Sequence, residues 1–324
     1  MRVGLVLGAG GMTGQAFHAG VLAALEEELG WDARDADVIV GTSAGSVAGT
    51  ALRLGVEPRD LAAWACDEPL SPAGAAFFDA IGGAAEDLPA PHLRDALHGW
   101  HLPSRALLAR AATRPWRLRL TAVAGALLPD GHYDLQERTR VLDQLGSGWP
   151  DGLLICACRR DDGRRVVFGR PSSPRARLSQ AVAASCAIPA YFAPVRIGGH
   201  DHVDGGMHSP TNADVLAHSG LDLVIVVSPM SAAHGSSHSP DAPVRWAMHR
   251  RLEHELDRLR REGTDVVRFE PNPMTLDVMG INAMAEDRSA AVVAAARADT
   301  AAHLRSGRTA QRMARLPRRL RAVA

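Results

Sequence analysis

Two strand–turn–helix units at the start of the chain constrain its fold more than any other feature. The first apolar run, at 3–7, stops at a cluster of glycines, and apolar residues then recur at helical spacing over 16–29. The second run, at 38–40, also ends in a glycine turn, and a helix is predicted from Ser46 to Leu54. Because a strand–helix–strand–helix order favours parallel strands, the predicted fold class is α/β, with a mainly parallel central sheet between helices.

The rest of the chain continues this pattern around a stretch of different composition. Four further apolar runs predict strands, at 153–158, 165–168, 221–227 and 265–269. Asp-Gly at 162–163 lies between the first two and predicts a hairpin. Residues from about 64 to 150 are rich in Ala, Pro, Gly and Trp and are interpreted as a variable helical insert. We therefore predict one domain over 1–304 and a basic tail over 305–324.

Composition excludes several classes of function. The 324 residues include 36 basic and 36 acidic side chains, so net charge does not favour nucleic acid as a partner. Every basic side chain is arginine, which excludes mechanisms that need a catalytic lysine. The four cysteines, at 66, 156, 158 and 186, match no metal-site spacing, and no apolar run is long enough to span a bilayer. We expect a cytoplasmic protein with reduced thiols, no metal and no cofactor.

The most informative motif is Gly-x-Ser-x-Gly at 41–45, directly between a predicted strand and a predicted helix. A sharp turn at this point holds the serine in a strained, exposed position, so Ser43 is the candidate nucleophile. Gly41 and Gly45 support the motif because side chains there would collide with the neighbouring strand and helix. The helix N-terminus also favours negative charge near the serine oxygen. The alternative is an ordinary tight turn that contains a small residue.

The glycine-rich turn at 8–14 has two interpretations. It links a strand to a helix, as do turns whose backbone N–H groups bind the pyrophosphate of a dinucleotide. That fingerprint, however, requires glycine at the position of Thr13, and the second strand ends in the Gly-x-Ser-x-Gly motif rather than in an acidic residue. An acyl hydrolase uses the same donors for the oxyanion of a tetrahedral intermediate, and adjacent glycines let that anion approach the backbone.

Two further motifs follow downstream. Asp204-Gly205-Gly206 places an acid in a glycine-flanked turn, and an Ala-Ser-x-Ala-Ile-Pro segment precedes it at 184–189. With the two glycine turns and Ala-Gly-Val-Leu at 19–22, this order of motifs resembles the patatin-like phospholipase family. The resemblance covers 1–55 and 177–228 closely.

The resemblance implies an acyl-ester hydrolase with a Ser–Asp dyad, in which Asp204 is the general base for Ser43. The turn at Gly205 and Gly206 would let Asp204 reach the serine. Main-chain N–H groups would form the oxyanion hole, at Gly10, Gly11 and Met12. The implied substrate is a lipid ester, as for a phospholipase A or a lysophospholipase, and the implied reaction passes through an acyl-serine without a cofactor.

The chain departs from the family pattern beside the first glycine turn, where members usually have arginine or lysine. Depending on the alignment, Thr13 or Gly14 occupies that position. Two alternatives therefore stay open, a catalytically silent lipid-binding relative and a Rossmann-type nucleotide-binding protein. A histidine-dependent hydrolase is a further alternative, with candidate bases at His18, His200, His202 and His208.

Two segments outside the motifs bear on lipid binding. Seven arginines and no acid lie between Arg305 and Arg321, so the tail is predicted to contact an anionic membrane surface. In the insert, Phe77 and Phe78 are interpreted as core residues, with an acyl groove as the alternative.

Overall fold

In the computed structural model, which describes residues 1–82, 99–146, 148–233 and 239–316, the six predicted strands and two further strands form one eight-stranded sheet. The strands in chain order are β1 (Val3–Leu7), β2 (Val38–Thr42), β3 (Leu153–Arg159), β4 (Arg164–Phe168), β5 (Val195–Ile197), β6 (His200–Asp204), β7 (Leu223–Val227) and β8 (Asp265–Phe269). The spatial order is β5-β6-β3-β2-β1-β7-β8, with β4 paired to β3. β1, β2, β3, β7 and β8 are mutually parallel, whereas β4, β5 and β6 pair antiparallel. The predicted α/β class with a mainly parallel sheet is confirmed.

Helices cover both faces of the sheet. In the first part of the chain they are α1 (Gly11–Leu29), α2 (Ala44–Arg53), α3 (Pro58–Ala65), α4 (Pro72–Gly82), α5 (Arg105–Thr113), α6 (Leu120–Leu127) and α7 (Leu135–Thr139). In the second part they are α8 (Leu178–Cys186), α9 (Ala242–Arg261), α10 (Pro273–Met279), α11 (Ser289–Leu304) and α12 (Gly307–Met313). Among these described helices, none combines the length and apolar character needed to cross a bilayer.

Side-chain alternation along the strands divides the core into two layers. In β1, Leu5 and Leu7 point into the larger layer, which also contains residues of α1, α2, α8 and α11. Val6 points the other way and packs with Leu252 and Leu256 of α9. Successive side chains of a strand alternate between faces, so a sheet covered on both sides reads as a continuous apolar run. This explains why β1 and β7 are buried at every position.

The predicted helical insert at about 64–150 contains α4 to α7 among its described residues, and residues 83–98 and 147 lie outside them. The Asp-Gly hairpin is present as β3 and β4, paired from Ile155 with Phe168 to Arg159 with Arg164. Sequence reasoning missed α8, β5 and β6 as elements. The domain limits and the variability of the insert stay predictions.

The stretch predicted as a basic tail is partly folded. Residues 307–313 form α12, and Met313 and Leu316 are buried. Arg312 donates to the Val266 carbonyl of β8 at 3.0 Å, and Arg315 pairs with Asp265 at 3.3 Å. Residues 317–324 lie outside the described residues. The described half of this stretch therefore packs against the edge of the sheet.

Candidate active site

Ser43 lies between the last residue of β2 and the first residue of α2. Its backbone has φ 52° and ψ −123°, a conformation that non-glycine residues rarely adopt. A Cβ added at Gly41 would lie 2.5 Å from the Ser46 Cα, and one at Gly45 would lie 2.0 Å from the Leu7 carbonyl oxygen. Both contacts are with backbone atoms that cannot move aside. The two flanking glycines are therefore a steric requirement of the sharp turn.

Three hydrogen bonds hold the backbone of this turn. The Ser43 N–H donates to the Ser185 hydroxyl oxygen at 2.9 Å, and the Ser185 hydroxyl donates to the Cys156 carbonyl at 2.7 Å. The Ser46 hydroxyl donates to the Ser43 carbonyl at 2.7 Å. Ser185, on α8, therefore connects the turn to β3, and these bonds can hold the strained backbone in place.

Strand register brings Asp204 to Ser43. Thr42 of β2 pairs with Cys156 of β3, and the next residue of β3, Ala157, pairs with Asp204 of β6. Ser43 follows Thr42 directly, so it reaches the same level of β3 as Asp204. The Ser43 hydroxyl lies near enough to the Asp204 carboxyl group to lower its pKa.

The Asp204 carboxyl group is buried, and burial raises its pKa to about 6. The nearby Ser43 hydroxyl and a hydrogen bond from the Gly206 N–H, at 2.6 Å, act in the opposite direction on this pKa. A Cβ at Gly205 would lie 2.2 Å from the Cys156 carbonyl oxygen, which explains the glycine after the acid. The arrangement keeps a carboxylate basic enough to accept a proton near neutral pH.

The glycine-rich turn places N–H groups beside the serine. The Gly8 and Ala9 N–H groups donate to the Val227 and Pro210 carbonyls at 2.9 Å and 2.7 Å. No described residue accepts from the next three N–H groups, those of Gly10, Gly11 and Met12. The first N–H groups of a helix have no partner within that helix, which leaves them free to bind an anion.

The missing basic residue of the glycine turn is replaced by main-chain anchoring. The Thr13 N–H donates to the Ala283 carbonyl at 3.1 Å, and the Thr13 hydroxyl approaches the same oxygen at 3.5 Å. Gly14 N–H donates to the Gly10 carbonyl at 2.9 Å. Gly11 has φ 63°, and a Cβ there would lie 2.6 Å from the Ala283 oxygen. The turn is thus held without a basic side chain.

An apolar cavity of about 190 Å³ opens at Ser43. Gly11 and Met12 line it, whereas Gly10 does not. Its apolar walls come from several helices and include Val47, Trp64, Phe78, Ile81, Val182 and Phe192. Phe78 stacks on Trp64 with ring centroids 4.6 Å apart. Phe77 is buried, which fits the interpretation as a core residue. Phe78 forms part of the cavity wall, which fits the alternative of an acyl groove.

Cys186 also lines this cavity, with its sulfur 3.7 Å from the Ser46 hydroxyl oxygen. Burial raises the pKa of its thiol to about 12, so it is neutral near pH 7. A larger cavity of about 320 Å³ lies at the end of β8 beside Arg268, Glu270 and His303. It contains none of the predicted site residues.

The four candidate histidines lie elsewhere, and none lines the cavity among the described residues. His18 bonds the Gly8 carbonyl at 2.7 Å, and burial lowers its pKa to about 4. His200 bonds Asp161 at 2.6 Å. His202 packs on Phe168. Burial and nearby arginines lower the pKa of His208 to about 3. The geometry gives no support to a histidine base.

Sequence reasoning missed Asn212, which joins the two turns of the site. Its side-chain N–H groups donate to the Thr42 hydroxyl at 3.1 Å and the Ser209 carbonyl at 2.7 Å, and they approach the Gly205 carbonyl at 3.5 Å. Thr42 precedes the serine, and Gly205 follows the acid. Asn212 is buried, with φ 53°, a left-handed conformation that asparagine adopts more readily than most residues.

The sequence model of the patatin-like phospholipase family matches residues 5–217. The chain belongs to this family. The match confirms the resemblance and spans both glycine turns, Ser43 and Asp204, which decides against the Rossmann alternative. Membership in the patatin-like phospholipases places the chain among lipid hydrolases.

Solved structures with low sequence identity to this chain include those of VipD and ExoU. VipD from Legionella pneumophila has 14% identity and a TM-score of 0.45, over 97% of this chain and 67% of VipD. The type III effector protein ExoU has 17% identity and a TM-score of 0.35, over 96% and 53% of the two chains. The ExoU–SpcU complex of Pseudomonas aeruginosa has 17% identity and a TM-score of 0.39, over 97% of this chain and 52% of that chain. The chain thus spans about half the length of the ExoU chains. A search of curated proteins gave no match.

Proposed function

We propose that the protein hydrolyses an acyl ester of a phospholipid or lysophospholipid through a Ser43–Asp204 dyad. One observation carries the proposal, namely that the Ser43 hydroxyl lies beside a buried carboxyl group of raised pKa and that Ser43 lines an apolar cavity. An apolar cavity with a few polar groups at one end suits an acyl chain whose ester lies at the serine.

The proposed acylation step uses the groups at that end of the cavity. Asp204 accepts the proton of the Ser43 hydroxyl while the serine oxygen attacks the ester carbonyl carbon. The carbonyl oxygen gains the negative charge and accepts hydrogen bonds from the N–H groups at Gly10, Gly11 and Met12. The intermediate collapses, the bond to the alcohol oxygen breaks, and protonated Asp204 returns the proton to that oxygen.

The proposed deacylation step repeats this chemistry with water. Asp204 removes a proton from a water molecule, which attacks the acyl-serine carbonyl. The serine oxygen leaves and regains the proton, and a free fatty acid is released. Both steps use one carboxylate as base and then as acid, so no second titratable side chain is required.

Arg138 supports a phosphate-bearing substrate over a neutral ester. It lines the cavity together with Glu286. An arginine can bind a phosphate through two parallel hydrogen bonds. The side chain therefore places a positive charge at the cavity, whereas the glycine turn has no basic residue.

A serine-directed fluorophosphonate tests the proposal. We expect it to label Ser43 and to block release of fatty acid from a mixed phospholipid extract. Ser43→Ala should abolish both labelling and hydrolysis, whereas Ser172→Ala, at an exposed serine, should change neither. Hydrolysis that survives Ser43→Ala would disprove the assignment. A correctly folded wild-type protein that binds lipid but neither reacts nor hydrolyses would favour the silent relative.

A further inference from the structure

The segment 99–128, which contains α5 and α6, exposes an unusual set of side chains. It holds five arginines and no acidic residue, although the whole chain has equal numbers of each. Half of the ten large hydrophobic side chains exposed among the described residues also lie here, namely Trp100, Leu102, Leu108, Trp116 and Leu120. Leu102 and Leu120 are each 90% exposed, and Trp116 is 77% exposed. Apolar exposure concentrated in this way marks an interaction surface.

The exposed side chains are on a segment whose other side is firmly packed. Ala122 of α6 is buried with Cys158 and Val203, and Leu107 of α5 is buried. Arg110 donates to the Asp162 carbonyl at 2.7 Å, and the His101 N–H donates to the Leu127 carbonyl at 2.8 Å. The buried side chains of the segment therefore already pack and form hydrogen bonds with the rest of the protein, whereas its exposed side chains do not contribute to the core.

Charge identifies the partner chemistry. Arg105 and Arg114 are exposed and have no acidic partner among the described residues. Arg119 lies near two arginine–carboxylate pairs, Arg165 with Asp214 and Arg251 with Glu255, so its own charge is in excess of theirs. Tryptophan and arginine together suit a membrane interface, where the ring lies at head-group level and the guanidinium reaches phosphate. Nearly fully exposed leucines favour a lipid surface over nucleic acid, whose backbone offers them no apolar contact.

The segment is bonded to the proposed active site. The Thr121 hydroxyl donates to the Met207 carbonyl at 2.6 Å, three residues after Asp204. The Ala190 N–H donates to the Pro129 carbonyl at 3.0 Å, just beyond the segment and two residues before the cavity wall at Phe192. A surface attached at both points can hold the cavity beside a bilayer.

We propose that segment 99–128 docks the protein on the surface of a bilayer that contains anionic phospholipid. The choice of a bilayer as the place of work rests on the proposed lipid-ester function, whereas docking itself does not require catalysis. The alternative surface at 305–324 is less available in its described part, since Arg312 and Arg315 already contact β8 and Met313 and Leu316 are buried.

Vesicle sedimentation of the Ser43→Ala protein tests docking without hydrolysis. The vesicles are phosphatidylcholine alone or phosphatidylcholine with phosphatidylglycerol. Arg105→Gln with Arg114→Gln should lower the partition coefficient on anionic vesicles roughly 25-fold, because each basic residue near such a surface contributes about fivefold. Trp116→Ser with Leu120→Ser should lower binding to a similar extent. The matched control is Trp246→Ser with Arg250→Gln on α9, an exposed tryptophan–arginine pair that should leave binding unchanged.

The same substitutions in the Ser43 protein should leave turnover of a soluble short-chain ester unchanged, so loss of docking and failure of the proposed catalysis are distinguishable. Vesicle binding that is unaffected by both segment variants, or equal on neutral and anionic vesicles, would overturn the proposal. So would loss of binding on removal of 305–324 alone. Concentration-dependent dimerisation that Trp116→Ser abolishes, without any effect on vesicle binding, would assign the surface to a second copy.

Discussion

The carboxyl group of Asp204 is buried beside the Ser43 hydroxyl, and burial raises its pKa to about 6. If it is the base, only its ionised form can accept the serine proton. Turnover of a soluble ester should therefore be high above pH 6 and should fall about tenfold per pH unit well below it. The fall in activity below pH 6 is measured as the pH profile of kcat/KM, which reports the ionisation of the free enzyme. Activity that stays level down to pH 4 would contradict Asp204 as the base.

Removal of the Asp204 charge should stabilise the fold. Because the folded pKa lies above the ordinary value of 3.8, the folded state favours the protonated form, and this group makes the protein less stable as pH rises from 4 to 6. Ionisation at pH 7 costs up to about 3 kcal/mol at 1.36 kcal/mol per pKa unit. Asp204→Asn keeps an acceptor for the Gly206 N–H and removes that cost.

Asp204→Asn should accordingly raise the unfolding free energy at pH 7 by up to about 3 kcal/mol, with little effect near pH 4. Turnover should fall by roughly 10²–10⁴-fold. Denaturant unfolding at both pH values and ester turnover measure the two effects. If the variant is less stable than wild type at pH 7, the ionised Asp204 carboxylate stabilises the folded state instead of destabilising it, and this prediction is wrong.

Individual residues could be predicted from the sequence where chemistry and sterics act locally. Ser43 and its flanking glycines could be predicted, because the turn itself requires them. Ser185 and Asn212 could not, because the groups that they bond are 142 and 170 residues away in the chain. Serine and asparagine occur in many environments, and only the fold shows which of them support a site.

The Asn212 side chain joins the turn after β2 to the turn after β6. Asn212→Asp keeps the size and the tolerance of positive φ but removes the donors to Thr42 and Ser209. We expect kcat to fall at least tenfold with KM nearly unchanged, because two turns shift while the cavity remains. Asn282→Asp is the matched control, since Asn282 is exposed and its contact to the Met284 N–H uses the oxygen. Equal kcat in both variants would remove Asn212 as a positioning residue.

The strands that could be predicted from the sequence are those formed by uninterrupted runs of apolar residues. β1, β2, β7 and β8 are buried parallel strands and stand out as apolar runs. β6 contains His200, Asp201 and His202, and β5 has only three residues, so neither shows a strand pattern. Pairing with β3 holds β6 in place, and the acid at its end is recognised by its glycine turn rather than by its strand.

The cavity is assembled from parts of the chain that are distant in sequence. The turn at Ser43 supplies one end, α3 and α4 supply Trp64, Phe78 and Ile81, and α8 supplies Val182. The family pattern identifies the two glycine turns and the Asp-Gly-Gly turn, but six of the eighteen residues that line the cavity come from the segment at 64–150, whose composition is the least regular. Sequence reasoning could therefore propose an acyl hydrolase without giving the size of its acyl site.

Partial filling of the cavity should change acyl-chain preference. Ile81→Trp places a larger side chain in the wall without touching either proposed catalytic residue. If it excludes two methylenes of the substrate, long-chain esters lose about 1.6 kcal/mol of burial, or roughly 15-fold in kcat/KM. Ile281→Trp is the matched control, because Ile281 is exposed and does not line the cavity.

The measurement is kcat/KM for a series of p-nitrophenyl esters of increasing chain length. Short esters should react equally with wild type, Ile81→Trp and Ile281→Trp, because they end before the altered wall. Only Ile81→Trp should lose the preference for longer chains. A folded Ile81→Trp protein with an unchanged chain-length profile would mean that the acyl chain lies outside this cavity. The dyad could then still be correct, since the Ser43 and Asp204 variants test it independently of where the chain binds.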